Sequence, residues 1–177
     1  MRIDVTDEAS VAAAAKWIET EYGRLDILVN NAGIVGGPAA HQPSAAAAEQ
    51  VREVYETNVF GVVTVTNAML PLLRRSEAGR IVNVSSELGS LAMAGDPESP
   101  FLAFNALAYN SSKSALNMVT VCYAKELKDT PIKVNAGTPA TAPPTSTGTP
   151  GPVRPSRARR SRCGWRPWTR TALPGPT

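Results

Sequence analysis

The sequence predicts an α/β domain with a parallel sheet over residues 1–139 and a disordered tail over residues 140–177. Three short apolar runs, at 25–29, 80–85 and 132–135, alternate with longer stretches of helical periodicity. This alternation is typical of βαβ units with right-handed crossovers. The last 41 residues contain 9 Pro, 5 Gly, 8 Thr and 7 Arg, and such a composition buries too little apolar surface to offset the entropy of ordering.

The first elements are predicted to be a strand end, a helix and a second strand. Residues 3–5 form the strand end, and Thr6 or Asp7 is the expected N-cap of the helix. Gly23 ends that helix. Its apolar stripe consists of Val11, Ala14, Ala15 and Ile18. Residues 25–29 are apolar except for Asp26, which is typical of a strand buried in a parallel sheet.

Two further helices are predicted. The first covers residues 49–73, and Ser44 is a candidate for its cap. Residues 87–107 contain Gly and Pro and are interpreted as an insertion before the second helix. That second helix ends at about residue 127, and we expect its Cys122 to be a small core residue.

Charge is divided unevenly along the chain. Residues 1–136 contain 11 Lys and Arg against 15 Asp and Glu, whereas residues 137–177 contain seven Arg and no acidic residue. The basic character therefore belongs to the tail and does not by itself indicate nucleic-acid binding. Trp165 and Trp168 lie among these arginines, but no predicted element presents them for stacking on bases.

Several functional classes are not supported by the sequence. Cys122 and Cys163 are too few for a disulfide framework or a metal site, so we predict no metal. The first residues lack the apolar core of a signal peptide, and no apolar run approaches the roughly 18 residues needed to cross a membrane. We therefore expect a cytoplasmic protein with no membrane segment.

The candidate catalytic pair is Tyr109 and Lys113. Their spacing of four places both side chains on one face of a helix, one turn apart. A phenol titrates near 10, and a neighbouring ammonium favours the phenolate, so such a pair is suited to general acid/base chemistry. Because Tyr and Lys often share an exposed helix face by chance, the pair needs support from other motifs.

That support comes from three segments upstream. Residues 25–33, Asn58 and residues 79–86, followed by the Tyr109–Lys113 pair, closely resemble the short-chain dehydrogenase/reductase family in this order. The insertion before the Tyr is similar to that of the carbonyl-reductase-like members. The resemblance implies a Rossmann-type three-layer αβα fold and NAD(P)-dependent interconversion of a ketone or aldehyde and an alcohol.

The resemblance also implies roles for the catalytic residues. Tyr109 corresponds to the general acid/base, and Lys113 to the residue that assists it and binds the nicotinamide ribose. Ser86 corresponds to the residue that holds the substrate oxygen, and Asn58 to the one that supports a water relay to the lysine. Considered alone, Ser86 has the alternative role of a strand-end cap. His41 has no visible partner and is interpreted as part of a surface loop.

Besides Tyr109 and Lys113, which the resemblance implies as contacts at the nicotinamide end, cofactor contacts are implied at three further positions. Asn31 corresponds to a residue that contacts the cofactor, although Asn and Gly at 30–33 are also typical of a simple turn. Asp4 and Val5 resemble the pair that touches the adenine ring. A helix-capping role for Asp4 remains equally open. The implied cofactor is NADP or NAD, and the implied substrate is a small carbonyl compound or alcohol.

The sequence departs from the family pattern at both ends. It begins where the family's third strand ends, so we expect the first two strands and the Gly-rich turn that holds the pyrophosphate to be missing. The catalytic residues would then be present while the cofactor is held weakly. The alternative hypotheses are a catalytically inactive remnant and, on the tail alone, a nucleic-acid binder.

At the other end, the family continues its last shared strand with Pro-Gly and a nearby Thr. Here Pro139 is followed by Ala140 and the Pro-rich tail. Residues 139–151 can be written in codons that restore Pro-Gly and a Thr when the frame is shifted by a base. We therefore interpret the tail as the product of a frameshift near the Pro139 codon.

Overall fold

The computed structural model describes residues 1–138, so the predicted tail at 140–177 lies outside the described residues. The strands are β1 (Ile27–Asn30), β2 (Arg80–Val84) and β3 (Lys133–Gly137). The helices are α1 (Glu8–Tyr22), α2 (Ala48–Tyr55), α3 (Gly61–Leu73), α4 (Leu91–Ala94) and α5 (Leu107–Glu126). A π-helical segment, Glu56–Phe60, joins α2 to α3, and short 3-10 turns lie at Pro38–Ala40 and Glu87–Gly89.

The three strands form one parallel sheet with the order β1-β2-β3. Ile27 pairs with Arg80, and Arg80 pairs with Lys133, so β2 is central in the described sheet. Parallel neighbours require crossover connections, and helices occupy both of the connections here. The predicted α/β class with a parallel sheet is confirmed.

The main core packs the inner side chains of the sheet against α1, α3 and the end of α5. It is built from aliphatic side chains, and its most fully buried large members are Leu73, Ile81, Leu127 and Val11. Asp7 caps α1 by accepting a hydrogen bond from the Ala9 backbone nitrogen, and Gly23 ends the helix at φ 72°. Both of these predicted helix signals are confirmed.

The residues predicted to end a strand, 3–5, are not in a strand. No described strand runs beside them, and a strand requires a neighbouring backbone. The Asp4 backbone nitrogen donates instead to Ser10 Oγ at 2.9 Å. β1 also differs from the prediction of a fully buried strand, because Ile27 and Val29 are 60% and 52% exposed.

Two other predictions are wrong. Ser44 does not cap the second helix, because the chain turns first and α2 begins at Ala48, where the Gln50 side chain accepts from the Ala47 backbone nitrogen. Cys122 is exposed instead of buried, since it lies on a part of α5 that no described element covers. The helix predicted over 49–73 forms, although the π-helical segment interrupts it. No helix within residues 1–138 has both the length and the hydropathy to cross a membrane.

Candidate active site

Tyr109 and Lys113 lie in the first two turns of α5. The Lys113 Nζ atom is 5.6 Å from the centroid of the Tyr109 ring, so the pair shares one face of the helix. Lys113 is only 4% exposed, and its Nζ donates to the Val84 carbonyl oxygen at 2.7 Å. Burial lowers the pKa of Lys113 below its ordinary value. An ammonium carries three donors, and the other two have no partner among residues 1–138.

Gly89, in the turn that follows β2, packs directly against the backbone of Lys113. A Cβ atom at Gly89 would lie 2.7 Å from the Lys113 carbonyl carbon and 2.8 Å from its Cβ, closer than real side chains approach. The Gly89 carbonyl oxygen also accepts from Ser114 Oγ at 3.0 Å. The turn at residues 87–89 is therefore pressed directly onto the helix that carries the candidate pair.

Ser86 follows the end of β2 and caps the 3-10 turn, where its Oγ accepts from the Leu88 backbone nitrogen at 3.2 Å. The capping role that the sequence left open is therefore present. Its neighbour Ser85 donates to Asn117 Oδ1 at 2.6 Å, and Asn117 Nδ2 donates to the Gly89 carbonyl at 3.3 Å. These bonds hold the Ser86 turn against α5, and the sequence analysis did not identify Asn117.

Asn58 is 1% exposed and is presented by the π-helical segment. Its Oδ1 accepts from the Ile34 backbone nitrogen at 2.8 Å, and its Nδ2 donates to the Ile34 carbonyl at 2.9 Å and to Ser112 Oγ at 3.0 Å. A Cβ at Gly33 would lie 3.3 Å from Asn58 Oδ1 and 3.5 Å from Lys113 Nζ. Asn58 thus lies behind Gly33, beside the lysine. π-Helical turns are frequent at functional sites.

These residues surround a cavity of about 400 Å³ at the carboxyl ends of β1 and β2. Its lining includes Asn31, Gly33, Ser86, Tyr109 and Lys113. In open parallel α/β sheets, ligands bind outside the carboxyl ends of the strands. The structure therefore brings three of the four candidate catalytic residues, and Asn31 as a further candidate cofactor residue, to one ligand-sized space, with Asn58 adjoining it.

The other two candidate cofactor residues lie elsewhere. Asp4 does not line this cavity; its Oδ1 accepts from the backbone nitrogen and the hydroxyl of Thr6, and the hydroxyl bond above all holds the Asp4 pKa below its usual value. Val5 packs against Gly61 and lines a separate apolar cavity, which Asn31 also borders. Asp4 does not have the helix-capping role that was left open for it, because Asp7 caps α1. An adenine contact for Asp4 and Val5 stays a prediction.

A buried polar network supports the strands below the cavity. Asn30 Nδ2 donates to Asn83 Oδ1 at 2.8 Å and to Thr66 Oγ1 at 3.1 Å. Asn83 Nδ2 in turn donates to Thr120 Oγ1 at 2.9 Å. The network joins β1, β2, α3 and α5, so Asn30 does more than form a turn. Its signal in the sequence was an amide within each apolar strand run, because a buried amide requires partners.

A second cavity of about 600 Å³ adjoins the first, and Ser86 and Tyr109 line both. His41 lies in the loop that the sequence predicted, where it also lines this second cavity. Its side chain is half-buried, its Nε2 is shielded from solvent without a hydrogen-bond partner in the described part of the chain, and its carbonyl accepts from the Leu107 backbone nitrogen. The loop is held there by its contact with the start of α5.

The first cavity fits the nicotinamide and ribose end of a dinucleotide. The two unengaged donors of Lys113 suit ribose hydroxyls, and Gly33 lines the cavity with a Cβ position only 3.5 Å from Lys113 Nζ, so a side chain there would crowd those donors. Asn31 borders the same space with an amide. The residues present at this end therefore suit the cofactor that the sequence resemblance implies.

Comparisons with known proteins point to one enzyme family. A family model described as short chain dehydrogenase matches residues 1–150. The short-chain dehydrogenase anuI of Penicillium roqueforti is 44% identical over 141 residues, which are 77% of this chain and 55% of the relative. The 3-ketodihydrosphingosine reductase of Bacteroides thetaiotaomicron is 36% identical over 132 residues, 75% of this chain and 44% of the relative. The chain spans about half the length of the curated relatives it matches.

Solved structures show the same likeness. An NADPH-bound carbonyl reductase from chicken fatty liver superposes with a TM-score of 0.66 at 30% identity, over 77% of this chain and 54% of that one. A Pseudomonas aeruginosa RhlG/NADP active-site complex gives a TM-score of 0.67 at 31% identity, over 81% and 53% of the two chains. Both proteins share the arrangement of helices around a parallel sheet.

Proposed function

The chain belongs to the short-chain dehydrogenase family, an oxidoreductase family, and we propose on this basis that it interconverts a ketone or aldehyde and an alcohol with NAD(P). Tyr109 acts as the general acid/base. The observation that carries the proposal is the cavity that Tyr109, Ser86 and Lys113 share at the carboxyl end of β2. The inactive alternative lacks comparable support, because all four candidate catalytic side chains are present and adjoin one another.

In the reducing direction, Tyr109 and Ser86 hold the carbonyl oxygen of the substrate with their hydroxyl groups. When bound, the nicotinamide supplies the hydride that the carbonyl carbon accepts. Tyr109 gives its proton to the developing alkoxide, and Ser86 contributes a second hydrogen bond to that oxygen. In the oxidising direction, Tyr109 takes the proton from the alcohol.

Lys113 has two functions in this proposal. Its buried ammonium lies one helical turn from Tyr109 and stabilises the phenolate that remains after proton transfer. Its unengaged donors bind the nicotinamide ribose. Asn58 lies beside Lys113 and supports the proton path that returns a proton to Tyr109. Asn31 borders the cofactor, which is NADP or NAD; NADP or NADPH occupies the two similar structures named above.

The test is ketone reduction by the full chain, followed by cofactor absorbance while NADPH or NADH is titrated. Tyr109→Phe should lower the rate by roughly 10²–10⁴-fold, as is usual for loss of a general acid/base. Tyr123→Phe is the matched control, because Tyr123 lies on the same helix but bonds to Asn67 at the surface. Equal rates for Tyr109→Phe and the parent chain, or no turnover by any of the three proteins, would contradict the proposal.

A further inference from the structure

The cavity of about 600 Å³ adjoins the candidate cofactor site and shares Tyr109 and Ser86 with it. Three loop segments form it: residues 35–43, the turn at 86–88 and residues 103–106. Its volume is within the roughly 300–1,000 Å³ typical of small-molecule pockets. Because Tyr109 and Ser86 line both cavities, a carbonyl held by the two hydroxyls would extend its carbon skeleton into this space.

The chemistry of the lining is apolar and uncharged. In the described part of the chain no Asp, Glu, Lys or Arg lines this cavity. Apolar groups dominate, chiefly Val35, Pro38, Leu88 and Phe104, and the polar members include His41, Gln42 and Asn105. From this lining, and resting on the proposed function, we infer that the substrate is an electrically neutral, lipophilic carbonyl compound whose apolar body packs against Phe104.

Neither of the two nearby charges stabilises an anionic substrate in this cavity. Glu87 lines the adjoining cavity, so a carboxylate held close to Ser86 would face a like charge. Lys113 also lines that cavity, on the cofactor side, and its Nζ is directed to the Val84 carbonyl. A carboxylate in the substrate cavity would therefore be desolvated without a cationic partner among residues 1–138, which is unfavourable.

Phe104 is placed to select for apolar substrates. It lines the cavity and is nevertheless 61% exposed, so its ring is free to pack on a ligand. Leu91 is a useful comparison, because it is 80% exposed in the same insertion but does not line this cavity. Trimming either side chain removes surface apolar groups only, and both variants should fold.

The experiment compares 4-phenylbutan-2-one with its para-carboxylate derivative as substrates of the full chain. We expect the neutral ketone to have a kcat/KM about 10-fold to 100-fold higher. Phe104→Ala should lower kcat/KM for the neutral ketone about tenfold, chiefly through KM, while Leu91→Ala stays within about twofold. Gln42→Lys should raise kcat/KM for the carboxylate, because it supplies the missing cation.

Equal use of the two ketones by the parent chain, or equal effects of Phe104→Ala and Leu91→Ala, would overturn the inference. Absence of turnover, or turnover that survives Tyr109→Phe, instead contradicts the proposed function. In that case, saturation-transfer NMR with the two ketones still tests the cavity. Preferential binding of the neutral compound that Phe104→Ala weakens supports the inference, and equal binding of both compounds refutes it.

Discussion

Replacing Asn58 should destabilise the fold more than its single side chain suggests. Asn58→Leu keeps a similar volume but removes all three hydrogen bonds of the amide, and two of these satisfy the backbone nitrogen and carbonyl of Ile34. A buried backbone group without a partner costs about 1–3 kcal/mol. Because Ile34 is only partly buried, water would compensate in part, and we expect a loss of about 2 kcal/mol in the free energy of unfolding.

The assay is equilibrium unfolding in urea, followed by far-ultraviolet circular dichroism. With a slope of about 1–3 kcal/mol/M for a small domain, the midpoint should fall by roughly 0.7–2 M. Asn67→Leu makes the same substitution at an exposed position on α3, where it removes a single bond, from the Tyr123 hydroxyl, and should change stability by no more than about 1 kcal/mol. If the two variants unfold at the same urea concentration, the buried amide does not hold the Ile34 loop and the reasoning fails.

Two further predictions concern Lys113 and the turn that packs on it. Because burial lowers the Lys113 pKa, the folded chain binds fewer protons than the unfolded chain between that lowered value and 10.5. The urea midpoint of the parent should therefore rise, relative to Lys113→Met, as pH approaches 10.5; parallel pH curves would contradict this. Gly89→Ala should cost about 1–3 kcal/mol in urea unfolding and reduce ketone turnover, since its Cβ would overlap Lys113. Gly95→Ala, whose Cβ would meet only a carbonyl at 3.5 Å, should be close to neutral in both assays.

The fold was predictable where the signal is local. Asp7 and Gly23 bound α1 because a side-chain cap and a positive φ are properties of single residues. The strand predicted at residues 3–5 was wrong because a strand depends on a neighbour that local sequence does not specify. Cys122 was wrong for the same kind of reason, since its helical run is apolar on a face that no described element covers.

The site was predictable only in part. Tyr109 and Lys113 are four residues apart on one helix, and this spacing alone places both side chains on the same face. The contact between Asn58 and Ser112 joins residues 54 positions apart, and no local pattern encodes it. The π-helical segment that presents Asn58 adds a residue to the turn without any change in hydrophobic period that would reveal it.

The position of Lys113 is set mainly by backbone atoms. Its Nζ donates to a carbonyl at the end of β2, Gly89 leaves no room for a Cβ against its main chain, and a Cβ at Gly33 would just contact its Nζ at 3.5 Å. Gly89 therefore limits the lysine where a larger residue would displace it. Backbone contacts hold a group more rigidly than long side chains do, because no rotamer freedom remains to be lost. A general acid/base pair depends on such fixed geometry, since misplacement by about 1 Å is enough to lose roughly 100-fold in rate.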